Sequence, residues 1–151
     1  MKSFIREDDI EQAICNRLSN EYGWERIECN PNVQAQDDVS KTGRSNPTEC
    51  ILPEVFFNAL KRINPQIDTE TLKGIVRDFR KDYTGMDMVD TNYKFYNQIR
   101  NGIKVKTRNQ NREDFDIVKI IDFDNVENNS FHCVNQMWIK GHFRYRRPAV
   151  L

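Results

Sequence analysis

The sequence lacks the motifs of several large enzyme classes. It contains no G-x-x-x-x-G-K-[ST] loop, so we predict no P-loop nucleotide site, and its six glycines form no G-x-G-x-x-G motif. The H-E-x-x-H of zinc proteases and the G-x-S-x-G of serine hydrolases are also missing. With only two histidines and no G-x-S-x-G motif to present a nucleophilic serine, we do not expect a Ser-His-Asp hydrolase.

Cysteine pairs and long apolar runs are missing as well. The four cysteines form no C-x-x-C pair; they are Cys15, Cys29, Cys50 and Cys133. A zinc site needs about four closely spaced ligands, so we expect free thiols, buried or half-buried, as in a reducing compartment. No run approaches the roughly 20 apolar residues of a membrane span, and the start M-K-S-F-I-R-E-D-D-I has no signal-peptide core. We therefore predict a cytoplasmic protein.

The charges balance overall but are unevenly distributed along the 151 residues. Residues 1–50 carry 6 basic and 10 acidic residues, whereas residues 101–151 carry 9 basic and 6 acidic residues. Four basic residues cluster near the end of the chain, namely Lys140, Arg144, Arg146 and Arg147. This edge favours a phosphate-bearing partner, although a solvated strand end explains the same charges equally well.

Apolar spacing predicts four helices in the first two thirds of the chain. The first spans residues 5–22, with Gly23 as its stop and a buried face formed by Ile10, Ala13, Ile14, Leu18 and Tyr22. A second follows the apolar spacing from Leu52 to Ile63. A third is capped by Asp68 or Thr69 and buries Leu72, Ile75, Val76 and Phe79. The fourth spans about Val89–Asn101 and places Tyr93, Tyr96 and Ile99 in the core.

The remaining third of the chain has the pattern of strands. Ile103–Thr107 and Phe115–Phe123 are typical of a hairpin, and the second strand carries apolar residues on both faces, so we expect it to be covered. Further strands are predicted at Glu25–Cys29 and Phe131–Lys140. The predicted fold class is α/β with α+β character, as one domain over 1–151. A helical part, about 5–101, precedes a mixed and largely antiparallel sheet, about 103–151.

Two groups of carboxylates attract attention. Glu7 and Glu11 lie one helical turn apart, and Glu11 borders the predicted buried face. It is either a solvated residue favoured by the helix dipole or a carboxylate beside a metal site. Asp122 and Asp124 are interpreted as turn-forming residues, because Asp satisfies nearby backbone groups; a magnesium site there is the weaker alternative, without further support in the sequence.

Several blocks, taken in order, carry a family resemblance. They are D-D-I-E-Q-A-I (8–14), N-A-L-K-R-I-N-P (58–65), I-R-N-G-I-K-V (99–105), I-I-D-F-D-N-V-E-N-N-S-F-H-C-V-N-Q (120–136) and a final R-R-P. Over nearly the whole chain, from about Glu7 to Leu151, the sequence resembles the amino-terminal region of the restriction (motor) subunit of type I restriction enzymes.

The resemblance implies a restriction-endonuclease-like nuclease core of the P-D…(D/E)-x-K type, truncated in this chain. In such cores the Asp after the proline binds Mg²⁺, and a second carboxylate and a lysine complete the site for phosphodiester hydrolysis. It further implies double-stranded DNA as substrate and a complex with methylation and specificity subunits. ATP is used in downstream motor domains, and we expect no ATP site in this chain.

The chain departs from that pattern at two points. Ala149 stands where the resemblance implies the metal-binding Asp, and no lysine is preceded two residues earlier by an acidic residue. We therefore expect this chain to be catalytically incomplete, with the second carboxylate and the lysine beyond Leu151.

The resemblance nevertheless marks candidate site residues. Glu11 matches the acidic position of the family's first helix and is the candidate catalytic and metal-binding residue. The candidate DNA-binding residues are Lys140, Arg144, Arg146 and Arg147. Two hypotheses remain open: a fragment of an Mg²⁺-dependent endonuclease subunit, or a non-catalytic DNA-binding or subunit-docking module with a degenerate nuclease fold. A third and weaker hypothesis is an unrelated small α+β binding domain.

Overall fold

The computed structural model describes residues 6–29, 39, 41–81, 83, 85–109, 112–141, 144–148 and 150. The chain divides into two compact units. Unit 1 combines Met1–Cys50 with Phe131–Leu151, and unit 2 is Ile51–Ser130. Helices and strands occur in both units, and the prediction of a single domain stays a prediction.

The described residues form four α-helices, one short 3-10 helix (Val126–Asn128) and six strands. The helices are α1 (Glu7–Tyr22), α2 (Pro53–Ile63), α3 (Thr69–Phe79) and α4 (Met88–Asn101). The strands are β1 (Glu25–Glu28), β2 (Ile103–Asn109), β3 (Arg112–Val118), β4 (His132–Asn135), β5 (Ile139–Lys140) and β6 (Tyr145–Arg146). Among these helices, none is long and apolar enough to cross a membrane.

The strands pair two by two in a mixed arrangement. β1 runs parallel to β4, whereas β2–β3 and β5–β6 are antiparallel pairs. The predicted α/β class with α+β character is confirmed, although the strands form three two-stranded sheets rather than one continuous sheet. A restriction-endonuclease-like core stays a prediction.

In unit 1, α1 is defined by its two ends. The Asp9 carboxylate accepts a hydrogen bond from the backbone N–H of Arg6, at 3.2 Å, and so satisfies a donor at the amino terminus. At the other end Gly23 adopts a left-handed conformation, φ 70°, which a residue without Cβ tolerates. The chain then turns directly into β1, which confirms both the helix and its predicted stop.

The predicted buried face of α1 is wrong. Ile10, Ile14 and Tyr22 are 52%, 45% and 61% exposed, whereas Glu11 and Cys15 are buried. Because α1 packs the Glu11–Cys15 side against β4, the neighbouring apolar stripe points away from that contact. Apolar spacing identified the helix, but the polar partners on β4 selected the face that is buried.

The core of unit 2 lies between α2, α3 and the β2–β3 hairpin. Its buried members are apolar and come from all three parts: Leu60, Ile67, Leu72, Ile75, Val76, Val118 and Ile120. The predicted stripe of α3 is confirmed, with Phe79 partly buried against this core. Asp68 is the cap of α3, since its side chain accepts a hydrogen bond from the backbone N–H of Thr71 at 2.9 Å.

The predicted core face of α4 is also wrong. Tyr93, Tyr96 and Ile99 are 68%, 55% and 37% exposed, and no described residue of this helix is fully buried. Instead Phe95 contacts Phe79, with 5.0 Å between the ring centroids. The helix presents two candidate apolar sides, and contact with α3 determines which one packs.

The β2–β3 hairpin is confirmed, with two corrections. β3 ends at Val118, well before the predicted Phe123, and Phe115 and Ile117 are exposed rather than covered. Val118 and Val105 face the core of unit 2, so strand alternation turns Phe115 and Ile117 to the other side of the hairpin. There the ammonium of Lys104 lies 4.3 Å from the Phe115 ring centroid.

A buried aspartate organises the loop after β3. The Asp122 carboxylate accepts hydrogen bonds from the backbone N–H groups of Asp124 and Asn125 and from the side-chain amide of Asn128, at 2.8–3.2 Å. Asn129 accepts from the backbone N–H of Asp122. The Asn128 hydrogen bond and then the backbone donors lower the pKa of Asp122 from its usual 3.8. The turn-forming role predicted for Asp122 is confirmed.

Asn64 ties the end of α2 to the chain beyond β3. Its side-chain amide donates to the carbonyls of Leu60 and Lys119, both at 2.9 Å, and its Oδ1 accepts from the backbone N–H of Lys119 at 2.8 Å. The residue is 1% exposed, so these bonds replace water for both partners.

We expect Asn64→Ala to lower the free energy of unfolding by about 2 kcal/mol, because it leaves the backbone groups of Lys119 without partners. Gln66→Ala is the matched control: Gln66 is exposed two residues later, and its substitution should cost less than about 0.5 kcal/mol. Urea unfolding followed by circular dichroism measures both, and equal losses would contradict the assignment.

The lowered pKa of Asp122 predicts an acid-sensitive contribution to stability. A depressed folded-state pKa stabilises the fold above the unfolded pKa, near 3.8, and that stabilisation disappears as the pH falls through the folded value. The Asp122→Asn protein should therefore lose less stability than wild type when the pH falls below about 4. Glu127→Gln, an exposed acid in the same loop, serves as control and should follow the wild-type curve.

Candidate functional site

Unit 1 contains a cavity of about 500 Å³ with a strongly acidic lining. Its lining comes from the first turns of α1, the end of β1, the end of β4 and the carboxyl-terminal segment: Glu7, Asp8, Glu11, Gln12, Glu28, Cys29, Asn135, Gln136 and Arg147. Four of these residues are carboxylates and one is a cation. The cavity therefore attracts positive charge, and it brings the candidates Glu11 and Arg147 together.

Glu11 is held at this cavity by two side-chain amides. Its Oε1 accepts a hydrogen bond from Asn135 Nδ2 at 2.8 Å, and its Oε2 accepts one from Gln136 Nε2 at 2.5 Å. The residue is only 4% exposed. Since a buried carboxylate is costly without such donors, the two amides explain how an acid can be buried on this helix.

Helix and strand geometry places these partners in register. Glu11 and Cys15 lie one turn apart on α1, and Cys133 and Asn135 lie on the same side of β4. Four helical residues rise about 6 Å, and two strand residues advance about 6.6 Å. Glu11 therefore meets Asn135 while Cys15 meets Cys133, with the two sulfurs 3.2 Å apart.

The contact between the sulfurs of Cys15 and Cys133 lies at the end of the α1–β4 interface that is buried from solvent. Cys15 and Cys133 are both fully buried. Burial, and next the hydrogen bond to Cys15, raise the pKa of the Cys133 thiol to about 11, so it is neutral at physiological pH. Free thiols were predicted, and three of the four are buried; the exception is Cys50, which is exposed.

The hydrogen bond from Gln136 to Glu11 depends on an unusual backbone conformation at Gln136. Consecutive residues of a strand point to opposite sides, so Asn135 and Gln136 in a continuous strand would not both contact one carboxylate. Gln136 adopts φ 60°, the only positive φ of a non-glycine residue in the described part of the chain. Such a conformation costs on the order of 1 kcal/mol and is concentrated at functional sites. It also ends β4, which divides the predicted strand Phe131–Lys140 in two.

Asn135 carries an oxygen that its surroundings do not satisfy. Its Oδ1 is buried and has no hydrogen-bond partner among the described residues, while its Nδ2 is bound to Glu11. Asn135 is 4% exposed and lines the cavity. Buried side-chain atoms without a partner are uncommon in folded proteins, and this oxygen is one of five such nitrogen or oxygen atoms among the described residues.

The donor set fits a hard divalent cation in part. Carboxylate and amide oxygens are the ligands that Mg²⁺ prefers, and Glu11 and Asn135 provide both kinds at one cavity. Within the described ranges, however, no group of three or more His, Cys, Asp or Glu side chains is arranged to hold a metal ion. These residues alone supply fewer than the six oxygens of a complete magnesium shell, so water or substrate oxygens would have to supply the rest.

The basic residues proposed for DNA contact divide between two faces. In the β5–β6 hairpin Lys140 pairs with Tyr145, and its ammonium lies 5.8 Å from that ring centroid. Arg146 is the next residue along β6, so strand alternation turns it to the opposite face. Arg147 lines the acidic cavity and lies 5.3 Å from the Trp138 ring centroid.

Two further positions predicted from the sequence have different outcomes. Arg144 is exposed, and its carbonyl accepts the backbone N–H of Gly141 at 2.9 Å, which closes the β5–β6 turn. Ala149 lies outside the described residues. Its neighbour Val150 forms an isolated antiparallel bridge with Asn135, the residue that binds Glu11.

Sequence reasoning did not identify Asn135 and Gln136 as site residues. Both belong to the V-N-Q block on which the resemblance rested, which was the available signal. They are 124 and 125 residues from Glu11 in the sequence, and no local pattern links residues so far apart.

Comparison with known proteins agrees with the resemblance. A model of the family described as type I restriction enzyme R protein N terminus matches residues 4–149. The chain is 28% identical over 136 residues, 90% of its length, to the type I restriction enzyme HindI endonuclease subunit of Haemophilus influenzae. It is 31% identical over 72% of its length to a Methanocaldococcus jannaschii protein provisionally named type I restriction enzyme MjaIXP endonuclease subunit.

The chain spans only a small part of these relatives, 12% and 11% of their respective lengths. No solved structure matches it. The family model nevertheless covers almost every residue, including the Glu11 helix and the V-N-Q block that together line the acidic cavity. The chain belongs to the family of type I restriction enzyme R protein N termini.

Proposed function

We propose that this chain is the amino-terminal nuclease segment of the DNA-cleaving subunit of an ATP-dependent type I restriction system. The observation that carries the proposal is the family match over residues 4–149, joined to an acidic cavity in which Glu11 is buried and held by two amides. The complete subunit would hydrolyse phosphodiesters of double-stranded DNA with Mg²⁺. It would act in the cytoplasm with methylation and specificity subunits, and ATP would be used in its motor domains.

Glu11 is the proposed cation-binding carboxylate. The amides of Asn135 and Gln136 fix both of its oxygens, so the carboxylate needs little reorganisation when a cation arrives. Glu11 would hold the Mg²⁺, and the ion would supply neutralisation of charge on the scissile phosphate and activation of an attacking water. Without a cation, the four carboxylates of the cavity repel a phosphate, so DNA approach and metal binding are coupled.

The basic residues of the β5–β6 region have a separate proposed role. Lys140 and Arg147 lie beside the aromatic rings of Tyr145 and Trp138, respectively. Cations at such positions contact phosphates without reading bases, which suits an enzyme whose recognition sequence is read by another subunit. Arg146, on the opposite face, contributes less to the same phosphate path.

A second candidate function is a non-catalytic DNA-binding or subunit-docking module. The observation that favours it is Ala149, because a methyl group replaces the Asp that the family resemblance implies. The two candidate functions predict different DNA cleavage results in a complete subunit that carries this segment. If the nuclease is intact, Glu11→Gln abolishes DNA cleavage and leaves ATP-dependent motor activity unchanged. If the segment is a non-catalytic module, the wild-type subunit does not cleave, and Ala149→Asp alone does not restore cleavage.

We expect the isolated chain to show no Mg²⁺-dependent nicking of supercoiled plasmid DNA, because it lacks the Asp at 149 and any D-x-K or E-x-K. Gel analysis of plasmid incubated with purified chain and Mg²⁺ measures this. Glu11→Gln is the control for contamination: nicking that persists in this variant comes from another nuclease. Nicking by wild type that Glu11→Gln removes would overturn the proposed incompleteness.

We also expect weak and salt-sensitive binding of a short DNA duplex, because few cations are clustered. The double variant Lys140→Ala/Arg147→Ala should reduce the slope of log affinity against log salt by about 2, since each phosphate contact contributes about 0.9. Lys73→Ala/Arg77→Ala on α3 removes the same charge and serves as control. Fluorescence anisotropy measures the slopes, and tight binding at about 0.5 M salt contradicts the expectation.

A further inference from the structure

Two cysteine side chains meet inside unit 1. The thiol of Cys133, on β4, donates a hydrogen bond to the sulfur of Cys15, on α1, at 3.2 Å. Both residues are fully buried. They lie 118 positions apart in the sequence, so the fold alone brings their sulfurs into contact.

The backbones that carry these cysteines are held by other contacts of unit 1. On α1, Glu11 lies one turn before Cys15 and is hydrogen-bonded to Asn135. On β4, Cys133 is paired with Arg26 of β1. A disulfide needs its sulfurs about 2.05 Å apart, so the two sulfurs have to approach by only about 1 Å to form one.

Three explanations are open for such a pair. The thiols could serve only as small apolar groups of a core, bind a metal ion, or form a disulfide. Within the described part of the chain, no group of three or more His, Cys, Asp or Glu side chains is arranged to hold a metal ion. A core could be filled as well by contacts between sulfur and carbon, so the direct contact of the two sulfurs favours a disulfide.

We propose that Cys15 and Cys133 are a site of oxidative modification, at which hydrogen peroxide converts the two thiols into a disulfide between α1 and β4. Peroxide suits the site because it is small, whereas burial keeps larger oxidants away from both sulfurs. The bond joins covalently the two elements that Glu11 and Asn135 join by a hydrogen bond. The inference goes beyond the proposed nuclease function and does not depend on it.

The reaction has two steps, and each releases one water. One cysteine sulfur attacks a peroxide oxygen and the O–O bond breaks; the sulfur becomes a sulfenic acid, and the hydroxide that leaves takes the thiol proton as water. The other sulfur then attacks the sulfenic sulfur and the S–O bond breaks, so that a second hydroxide leaves with the second thiol proton. Two thiols and one peroxide thus give one disulfide and two waters. Because the second thiol is already in contact, it captures the sulfenic acid before further oxidation.

The test exposes the whole chain to hydrogen peroxide overnight, because buried thiols react slowly. Remaining thiols are then alkylated with iodoacetamide in denaturant, and the peptides are identified by mass spectrometry. The expected product is a linked pair of peptides that contain Cys15 and Cys133, with two hydrogen atoms fewer than the reduced pair. Recovery of these cysteines as separate alkylated or sulfinic peptides overturns the inference, and so does a main product that links either of them to Cys29 or Cys50.

Thermal unfolding gives a second measurement, made in a Cys50→Ser background because Cys50 is exposed and open to peroxide as well. Oxidation should raise the midpoint by at least about 5 °C, since a disulfide that closes a long loop restricts the unfolded chain. Dithiothreitol should reverse this shift.

Matched variants assign the shift to the proposed bond. Cys29→Ala removes another buried thiol of unit 1 and should leave the link and the shift unchanged. Cys133→Ala should abolish both, and an equal shift in this variant overturns the inference. Peptide mapping of the wild-type chain needs no substitution, so it decides the outcome even if Cys133→Ala does not fold.

Discussion

The structure of unit 1 depends on one contact, in which the side chains of α1 meet those of β4. At one end of this contact the Glu11 carboxylate accepts hydrogen bonds from Asn135 and Gln136, and at the other end two buried thiols touch. The polar end faces a cavity, and the sulfur end is dry. Burial of apolar residues alone would have turned α1 the other way, with Ile10 and Ile14 inside. Instead, the hydrogen bonds of Glu11 to Asn135 and Gln136 fix its orientation. The same contact therefore determines both how α1 packs and where the Glu11 carboxylate lies at the cavity.

Acidic and basic side chains occupy different parts of the candidate site. The cavity collects four carboxylates, whereas the cations of the β5–β6 region lie on a hairpin whose rings support them. Acidic groups alone would repel a DNA backbone, and basic groups alone would bind it without chemistry. Under the proposed function, the basic hairpin would contact the phosphates of DNA, and the acids would meet the substrate through a cation. Arg147 belongs to both regions, since it lines the cavity and lies beside the Trp138 ring.

The most specific block of the family resemblance divides between two different roles. Its first half, around Asp122, forms a loop in unit 2 in which buried Asp and Asn side chains satisfy one another and the backbone. Its last three residues, Val134–Gln136, end β4 in unit 1 and hold Glu11. One half of this block thus shapes a loop and the other half builds the candidate site, although the two are adjacent in sequence.

The sequence by itself determined the four helices, the β2–β3 hairpin and the helix stop at Gly23, because these depend on local spacing and on backbone preferences of single residues, whereas it left the cap of α3 open between Asp68 and Thr69. The sequence blocks that carry the family resemblance also identified Glu11 as a candidate site residue. Only the tertiary structure decided that Ile10 and Tyr93 lie outside while Glu11 lies inside, since burial depends on which partner each face meets. It alone joined Glu11 to Asn135 and Gln136, because a hydrogen bond across 124 residues and a left-handed backbone at one glutamine leave no local pattern.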